Sequence, residues 1–368
     1  MQHNRQKIST FQAVVLVTHS ITPTAMLILP SIAIGAASQD AWISVAAAWG
    51  CGIVIAILIG SICRLNPGLP FLTLIENRLG RAVGIVAGLL LVQYYMLSSS
   101  IILREFVDFL SDEVMKKTPV IVLAATALLV ALYAVREGIE VVARIGVIVF
   151  VGSTVFIIVG ISLQMNNVNL KHLLPIGEAS FPQIVLGGLS SFGWISEASV
   201  LMLLSPYLSK PTHARRIAVW GTSIAGFELL LAVVMVLLIF GPELPKLLKY
   251  PTIITMEIIK YGSFLERIEF IFICLWIASL YIKLCIYFYG TVHFFVHLFR
   301  IRNKKPFPIA LGILVLLTSL YTWSSNTYLT RHNEFTFFPY LAIMNVFLPL
   351  ALWIGLKRKT GKTISSGG

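Results

Sequence analysis

Charge is what this chain has least of. Asp, Glu, Lys and Arg make up 12% of its 368 residues, and only 16 residues are acidic, against ~25% charged in an ordinary soluble domain. With 57% of residues hydrophobic, a soluble fold has too little polar surface to cover the rest. Cysteine is equally scarce. The four, Cys51, Cys63, Cys274 and Cys285, lie inside or at the ends of apolar stretches without metal-ligand spacing, which reads as packing and excludes a disulfide framework. Histidine is rare too: His293 and His297 share a helix face but lack the nearby carboxylate of a metalloprotease. A "TGKT" run near the C-terminus resembles a phosphate loop, but Gly355 to Gly361 is one residue too long and no strand precedes it. No enzyme activity, cofactor or metal is expected. The N-terminus shows no short apolar core followed by a small-residue cleavage site, so no cleavable signal peptide is expected.

What the chain does have is ten apolar stretches, each long enough to cross ~30 Å of hydrocarbon: 11–36, 41–63, 82–110, 119–135, 142–162, 182–204, 216–241, 266–299, 308–325 and 336–356. Only segments that close their own backbone hydrogen bonds are tolerated there, so the expectation is an all-α polytopic membrane protein. Of the 28 Lys and Arg, eighteen fall on one set of alternate connections and termini and eight on the other. By the positive-inside rule both termini are then cytoplasmic and the span number is even. The net charge of +12 is spread over these connections rather than gathered on one soluble face, so nucleic acid is not an expected partner; the lipid bilayer is.

The chain reads as a single membrane domain over 1–361, with a short basic tail, 358–368, expected to be disordered. Two sets of five spans, about 8–163 and 178–357, place the second set upside down, the 5+5 inverted-repeat logic of many secondary transporters. In that logic the first span of each half breaks near the midplane. Span one carries Pro23 among Thr and Ser residues, with Pro30 beyond; span six carries Gly187, Gly188, Ser190, Ser191 and Gly193 within seven positions. Breaks are expected at both. The longest outer connection, 242–265, holds Ile253, Ile254, Met256, Ile258 and Ile259 at the spacing of a short amphipathic helix lying over the outer face.

Three segments, "LPSIAIGAASQDAWIS" (Leu29–Ser44), "FGWISEASVLMLLSPYLSK" (Phe192–Lys210) and "YPTIITMEIIKYGSFLERIEFIF" (Tyr250–Phe272), resemble the spore-germination permease family. The last, followed by Trp276 and "YIKLCIYFYG", is the most specific, and the likeness runs from Ile8 to about Lys359. The resemblance implies the LeuT-like fold of the amino acid/polyamine/organocation permeases. It further implies a multi-pass B subunit of a nutrient germinant receptor in the inner membrane of the dormant spore, beside a membrane A subunit and a lipoprotein C subunit. Its ligand would be a small nutrient. Many such proteins carry a Gly-x-Gly-like element in span one; here Pro23, Thr24 and Ala25 occupy it, so side chains stand where backbone would otherwise meet ligand.

Within that frame the candidate substrate-binding residues are Thr22, Thr24 and Ala25 from span one, Gly188, Ser190, Ser191 and Gly193 from span six, and Tyr94 and Ser98 from span three. Half-helix N-termini at the breaks would suit an amino-acid carboxylate. Ionisable groups at membrane depth face a cavity or each other, which singles out Lys283, Glu197 and Glu228. Lys283 either pairs with one of the two glutamates to fix helix packing or stands in for the cation of sodium-coupled relatives. Gly84 and Gly88 read as a close helix contact; Arg104, Glu105 and Asp108 read as a solvated or interfacial cluster. A sensor, a proton-coupled amino-acid transporter and an assembly scaffold all remain compatible with these residues.

Overall fold

The computed structural model describes residues 6–65, 67–259, 268–322 and 338–365. Among them every named element is helical, and extended backbone is confined to an isolated bridge between Ile8 and Leu208. In chain order the helices are α1 (Thr10–Ala37), α2 (Ala41–Cys63), α3 (Phe71–Leu79), α4 (Arg81–Phe109), α5 (Val120–Glu137), α6 (Ile139–Gln164) and α7 (Phe181–Ile195). They continue with α8 (Leu201–Leu204), α9 (Ala214–Phe240), α10 (Pro251–Glu257), α11 (Ile268–Leu298), α12 (Phe307–Tyr321), α13 (Phe338–Ala342) and α14 (Leu348–Ser365).

Among the described residues, eight segments are long and apolar enough to cross a membrane: Thr10–Cys63, Arg81–Val114, Val120–Glu137, Ile139–Asn167, Phe181–Tyr207, Pro211–Phe240, Glu269–Leu298 and Pro339–Lys357. The first contains both α1 and α2, joined by a 3₁₀ turn over Ser38–Asp40. The ninth expected span, 308–325, is represented by the 15 residues of α12, and its end lies outside the described residues, as does part of the connection 242–265.

Local chemistry explains the starts. α1 and α7 open on the same device: Ser9 with Gln12, and Ser180 with Gln183, form reciprocal capping boxes that satisfy backbone donors otherwise orphaned at a helix N-terminus. The α3–α4 and α5–α6 corners turn on Gly80 (φ 97°) and Gly138 (φ 103°), a backbone region costly for any residue with a Cβ. α1 is the axis of the molecule. It packs against α9, α7, α11, α6 and α10, and its stretch Ala13–Ala25 is buried throughout.

The structure corrects three expectations. α1 runs unbroken through Pro23 and Pro30. Each proline removes one ladder hydrogen bond, but Pro30 frees the Met26 carbonyl and the Thr252 hydroxyl of α10 donates to it at 2.7 Å. Such help from neighbours is what makes proline tolerable inside a membrane helix. In span six, Gly187–Gly193 stay helical, and the irregular backbone comes later, as a 3₁₀ segment over Ser196–Val200. Gly187 and Gly188 face α2, where an added Cβ on Gly188 would lie 3.1 Å from the Ser44 carbonyl. Close packing therefore offsets their poor helix propensity. Ser196 donates instead to the Gly193 carbonyl at 2.6 Å, a local bond that competes with the ladder. Arg104 and Asp108 are not solvated: they form a buried ion pair at 2.7 Å one helical turn apart.

Helix α10, within the connection 242–265, is shorter than its apolar pattern. Ile253 and Met256 are buried, and Thr252 ties it to α1.

Candidate functional site

The 3₁₀ segment Ser196–Val200 meets α1 and α11 at one buried polar node. From α11, Lys283 donates from Nζ to Glu197 Oε2 at 2.7 Å and to Thr24 Oγ1 of α1 at 2.7 Å. The two ionised side chains are 1% and 2% exposed. Tyr287, one turn along α11, lies with its ring centroid 5.7 Å from the ammonium. Its hydroxyl is 3.4 Å from that of Tyr94 on α4. On the other side of the segment, Ser199 donates to Asn345 Oδ1 at 2.6 Å, and Asn345 Nδ2 donates to Ser196 Oγ at 3.3 Å. Asn345 sits on a π-helical turn, Ile343–Phe347, between α13 and α14. One short irregular segment thus joins α1, α11 and the α13–α14 turn.

Glu197, not Glu228, is the partner of Lys283. Glu228 of α9 lines a separate cavity of about 40 Å³ on another face of α1. Its polar lining is Thr18, His19, Thr22, Ser153 and Ser279; Phe156 and Trp276 are among its apolar walls. A carbonyl only accepts, so His19 Nε2 donates to Gly146 O (3.0 Å) and, in the neutral ring, Nδ1 accepts from Ser279 Oγ (2.7 Å). Space of this size holds a water or two and no amino acid.

The remaining candidates are dispersed. Thr22 donates to the Thr18 carbonyl and borders the small cavity. Ala25 is fully buried in the core. Tyr94 belongs to an aromatic cluster with Tyr95, Tyr287 and Tyr340. Ser191 donates to the Gly187 carbonyl at 3.4 Å, and the Gly193 carbonyl accepts from Ser196. Among the described residues, Ser98 and Ser190 carry buried hydroxyls with no hydrogen-bond partner, an arrangement that costs ~1–3 kcal/mol unless something pairs with them. Gly188 is committed to packing on Ser44. Gly84 and Gly88 do serve close packing, against Glu76 of α3 and Leu298 of α11.

Sequence reasoning missed Asn345, Tyr287, Trp276 and Asp40. Asn345 was findable as an amide deep in an apolar span, and Tyr287 as the residue one turn from Lys283. Trp276 donates its indole N–H to the Pro23 carbonyl at 2.7 Å. Asp40, buried at the α1–α2 corner, accepts from the backbone N–H groups of Gly177 and Ala179, both at 2.9 Å, and so anchors the approach to α7. These contacts give physical content to the three segments of the resemblance: each ends on α1, on its corner or on the 3₁₀ segment.

Residues 7–327 match the family described as "Spore germination protein". The chain is 25% identical over 374 residues to "Spore germination protein KB" of Bacillus subtilis, covering 97% of this chain and 98% of that protein. It is 23% identical over 363 residues to "Spore germination protein A2" of the same organism, covering 96% and 97%. Among solved structures it resembles a nucleobase-cation-symport-1 family transporter in a closed conformation with bromovinylhydantoin bound (TM-score 0.62, 13% identity, 93% of this chain and 78% of that one). It also resembles MhsT in complex with L-phenylalanine (TM-score 0.56, 12% identity, 97% and 99%) and a mutant manganese transporter of Eremococcus coleocola (TM-score 0.63, 12% identity, 97% and 86%). The fold is that of the LeuT-type transporters, in a multi-pass membrane protein.

Proposed function

We propose a function from one premise: this chain belongs to the spore germination protein family. It acts, on this reading, as the integral-membrane B subunit of a nutrient germinant receptor in the inner membrane of the dormant spore, beside a membrane A subunit and a lipoprotein C subunit. It binds a small nutrient, an amino acid being the favoured class, and has no enzymatic activity of its own. The ten-span inverted repeat with both termini cytoplasmic belongs to the same proposal.

The observation that carries it is the Lys283 node. The Lys283 ammonium holds α1, α11 and the irregular segment of span six together. The separate cavity beside Glu228 is too small for an amino acid, and on this reading a ligand reaches the node only when these elements part. Binding is then coupled to a conformational shift that partner subunits can read, and such coupling is typically ~1–3 kcal/mol. Ser98 and Ser190, with unpaired buried hydroxyls, are the candidate residues best prepared to bond a ligand once the segment moves.

The test is a thermal-shift screen of the purified protein against amino acids, nucleosides and sugars, in sodium-free and sodium buffers. Stabilisation by one nutrient class without sodium supports the reading. Binding that requires sodium would exclude a permanent cation role for Lys283, and no binding by any class would favour a scaffold. The fold also supports a second reading, a proton-coupled amino-acid transporter. Uptake of the same nutrient into proteoliposomes holding this chain alone would select it.

A further inference from the structure

The N-terminus of α9 is built against the usual electrostatic rule. The positive end of a helix dipole favours acidic side chains. The first turn of this 27-residue helix has none, and its N-cap residue, His213, makes no side-chain cap. Arg215 and Arg216 stand there instead. Gly60 of α2 brings a third arginine to the same place: a Cβ at Gly60 would lie 2.9 Å from the Arg215 backbone nitrogen, so the two helices touch backbone to backbone. Arg64, one turn beyond Gly60, caps the end of α2 beside them.

Arg64, Arg215 and Arg216 line a groove of about 590 Å³ with Thr212, His213, Ile57, Val219 and Trp220. All three arginines are exposed. Among the described residues none of them makes an ion pair, and no acidic residue lines the groove. Three arginines thus line one concave space at the N-terminus of α9. Guanidinium forks match the geometry of phosphate oxygens, and a helix N-terminus is a ready anion site. The groove lies at the end of two membrane helices, on the face with the surplus of Lys and Arg. Trp220, 62% exposed, stands one turn further into the bilayer, where indoles favour the headgroup level.

We propose that this groove binds the phosphate headgroup of an anionic phospholipid, with Arg64, Arg215 and Arg216 on the phosphodiester and Trp220 with Val219 against the glycerol and first acyl carbons. The bound lipid would fix the α2 end against the α9 start, which both pack on α1.

The test uses the full chain in nanodiscs of phosphatidylcholine alone or mixed with phosphatidylglycerol, with melting midpoint and quenching by brominated lipids as readouts. At ~1 kcal/mol per basic residue near an anionic surface, the wild type should prefer brominated phosphatidylglycerol by at least roughly tenfold, and phosphatidylglycerol should raise its midpoint. The triple variant R64Q/R215Q/R216Q should lose both effects, whereas K304Q/K305Q, on the same face, should keep them. Equal lipid preference in the triple variant overturns the proposal. So does inorganic phosphate reproducing the whole shift in phosphatidylcholine, which would assign the groove to a free anion. If the triple variant melts early in phosphatidylcholine too, Trp220→Phe in the arginine-intact chain decides. Loss of the phosphatidylglycerol-selective quenching upholds the site, and its persistence overturns it.

Discussion

Lys283→Met should be among the most damaging single substitutions in this protein. The ammonium and the Glu197 carboxylate are 2.7 Å apart and 1% and 2% exposed. Methionine fills most of the volume of the lysine stem but leaves a carboxylate with no cation in a low-dielectric interior. Breaking a buried pair by removing one partner costs about 3–5 kcal/mol, whereas replacing both with neutral groups is often close to neutral. At roughly 2 °C per kcal/mol for a chain of this size, the single variant should melt about 6–10 °C below wild type in detergent or nanodiscs. The double variant K283M/E197Q should recover at least half of that loss. Lys283→Arg keeps the charge but crowds a packed site, and should fall between. Nutrient binding adds a second readout. If the ammonium also holds α1 through Thr24, the double variant should regain stability without regaining ligand selectivity. A single variant that melts within about 1 °C of wild type, or a double variant as unstable as the single, would refute the reasoning.

Asp40→Ala should cost about 1–3 kcal/mol by stranding the Gly177 and Ala179 amides, while Asp40→Asn, with one acceptor oxygen left, costs less; both are read as melting shifts. Thr252→Val removes the donor to the Met26 carbonyl and should destabilise by a similar amount, with proteolysis showing α10 released first. Ser98→Ala and Ser190→Ala remove unpaired buried hydroxyls, so apo stability should hold or rise by up to about 1 kcal/mol, and a fall in nutrient affinity would mark either residue as a ligand contact. Glu257 on α10 is pushed above its ordinary range by partial burial and by the carboxylates of Glu269 and Glu113. Its protonated form therefore suits the fold, stability should fall as pH rises through its titration, and Glu257→Gln should flatten that slope in melting curves taken across pH.

Much of the architecture was legible because bilayer physics leaves few options. Long apolar segments must be helices, and intramembrane ions must find partners, so Lys283 could be expected to meet a glutamate, with Glu197 and Glu228 both open. What could not be read was where a helix stays regular. Pro23 and the run Gly187–Gly193 look like breaks in one dimension. Yet α1 persists because Thr252, 226 residues away, pairs with the Met26 carbonyl that Pro30 frees, and the glycines persist because Ser44 lies against them. The irregular segment instead follows Ser196, whose effect depends on Asn345, 149 residues later. Arg104 and Asp108 looked solvated for a related reason: depth along a span is written in the chain, but the direction a side chain faces is not.

The order in which these contacts become available constrains synthesis. Glu197 emerges 86 residues before Lys283, which at about 5–20 residues per second leaves it without its cation for roughly 4–17 s. Thr24 waits three times as long, its separation from Lys283 being 259 residues. Until α9 and α11 are made, α1 can pack only on α2, α6 and α7 and keeps its remaining faces in lipid or with the insertion machinery. The two halves of this chain therefore cannot mature one after the other. Truncated or slowly translated chains should present α1 and Glu197 to the membrane's quality-control proteases, and the Lys283–Glu197 pair closes the assembly only after three-quarters of the protein has been made.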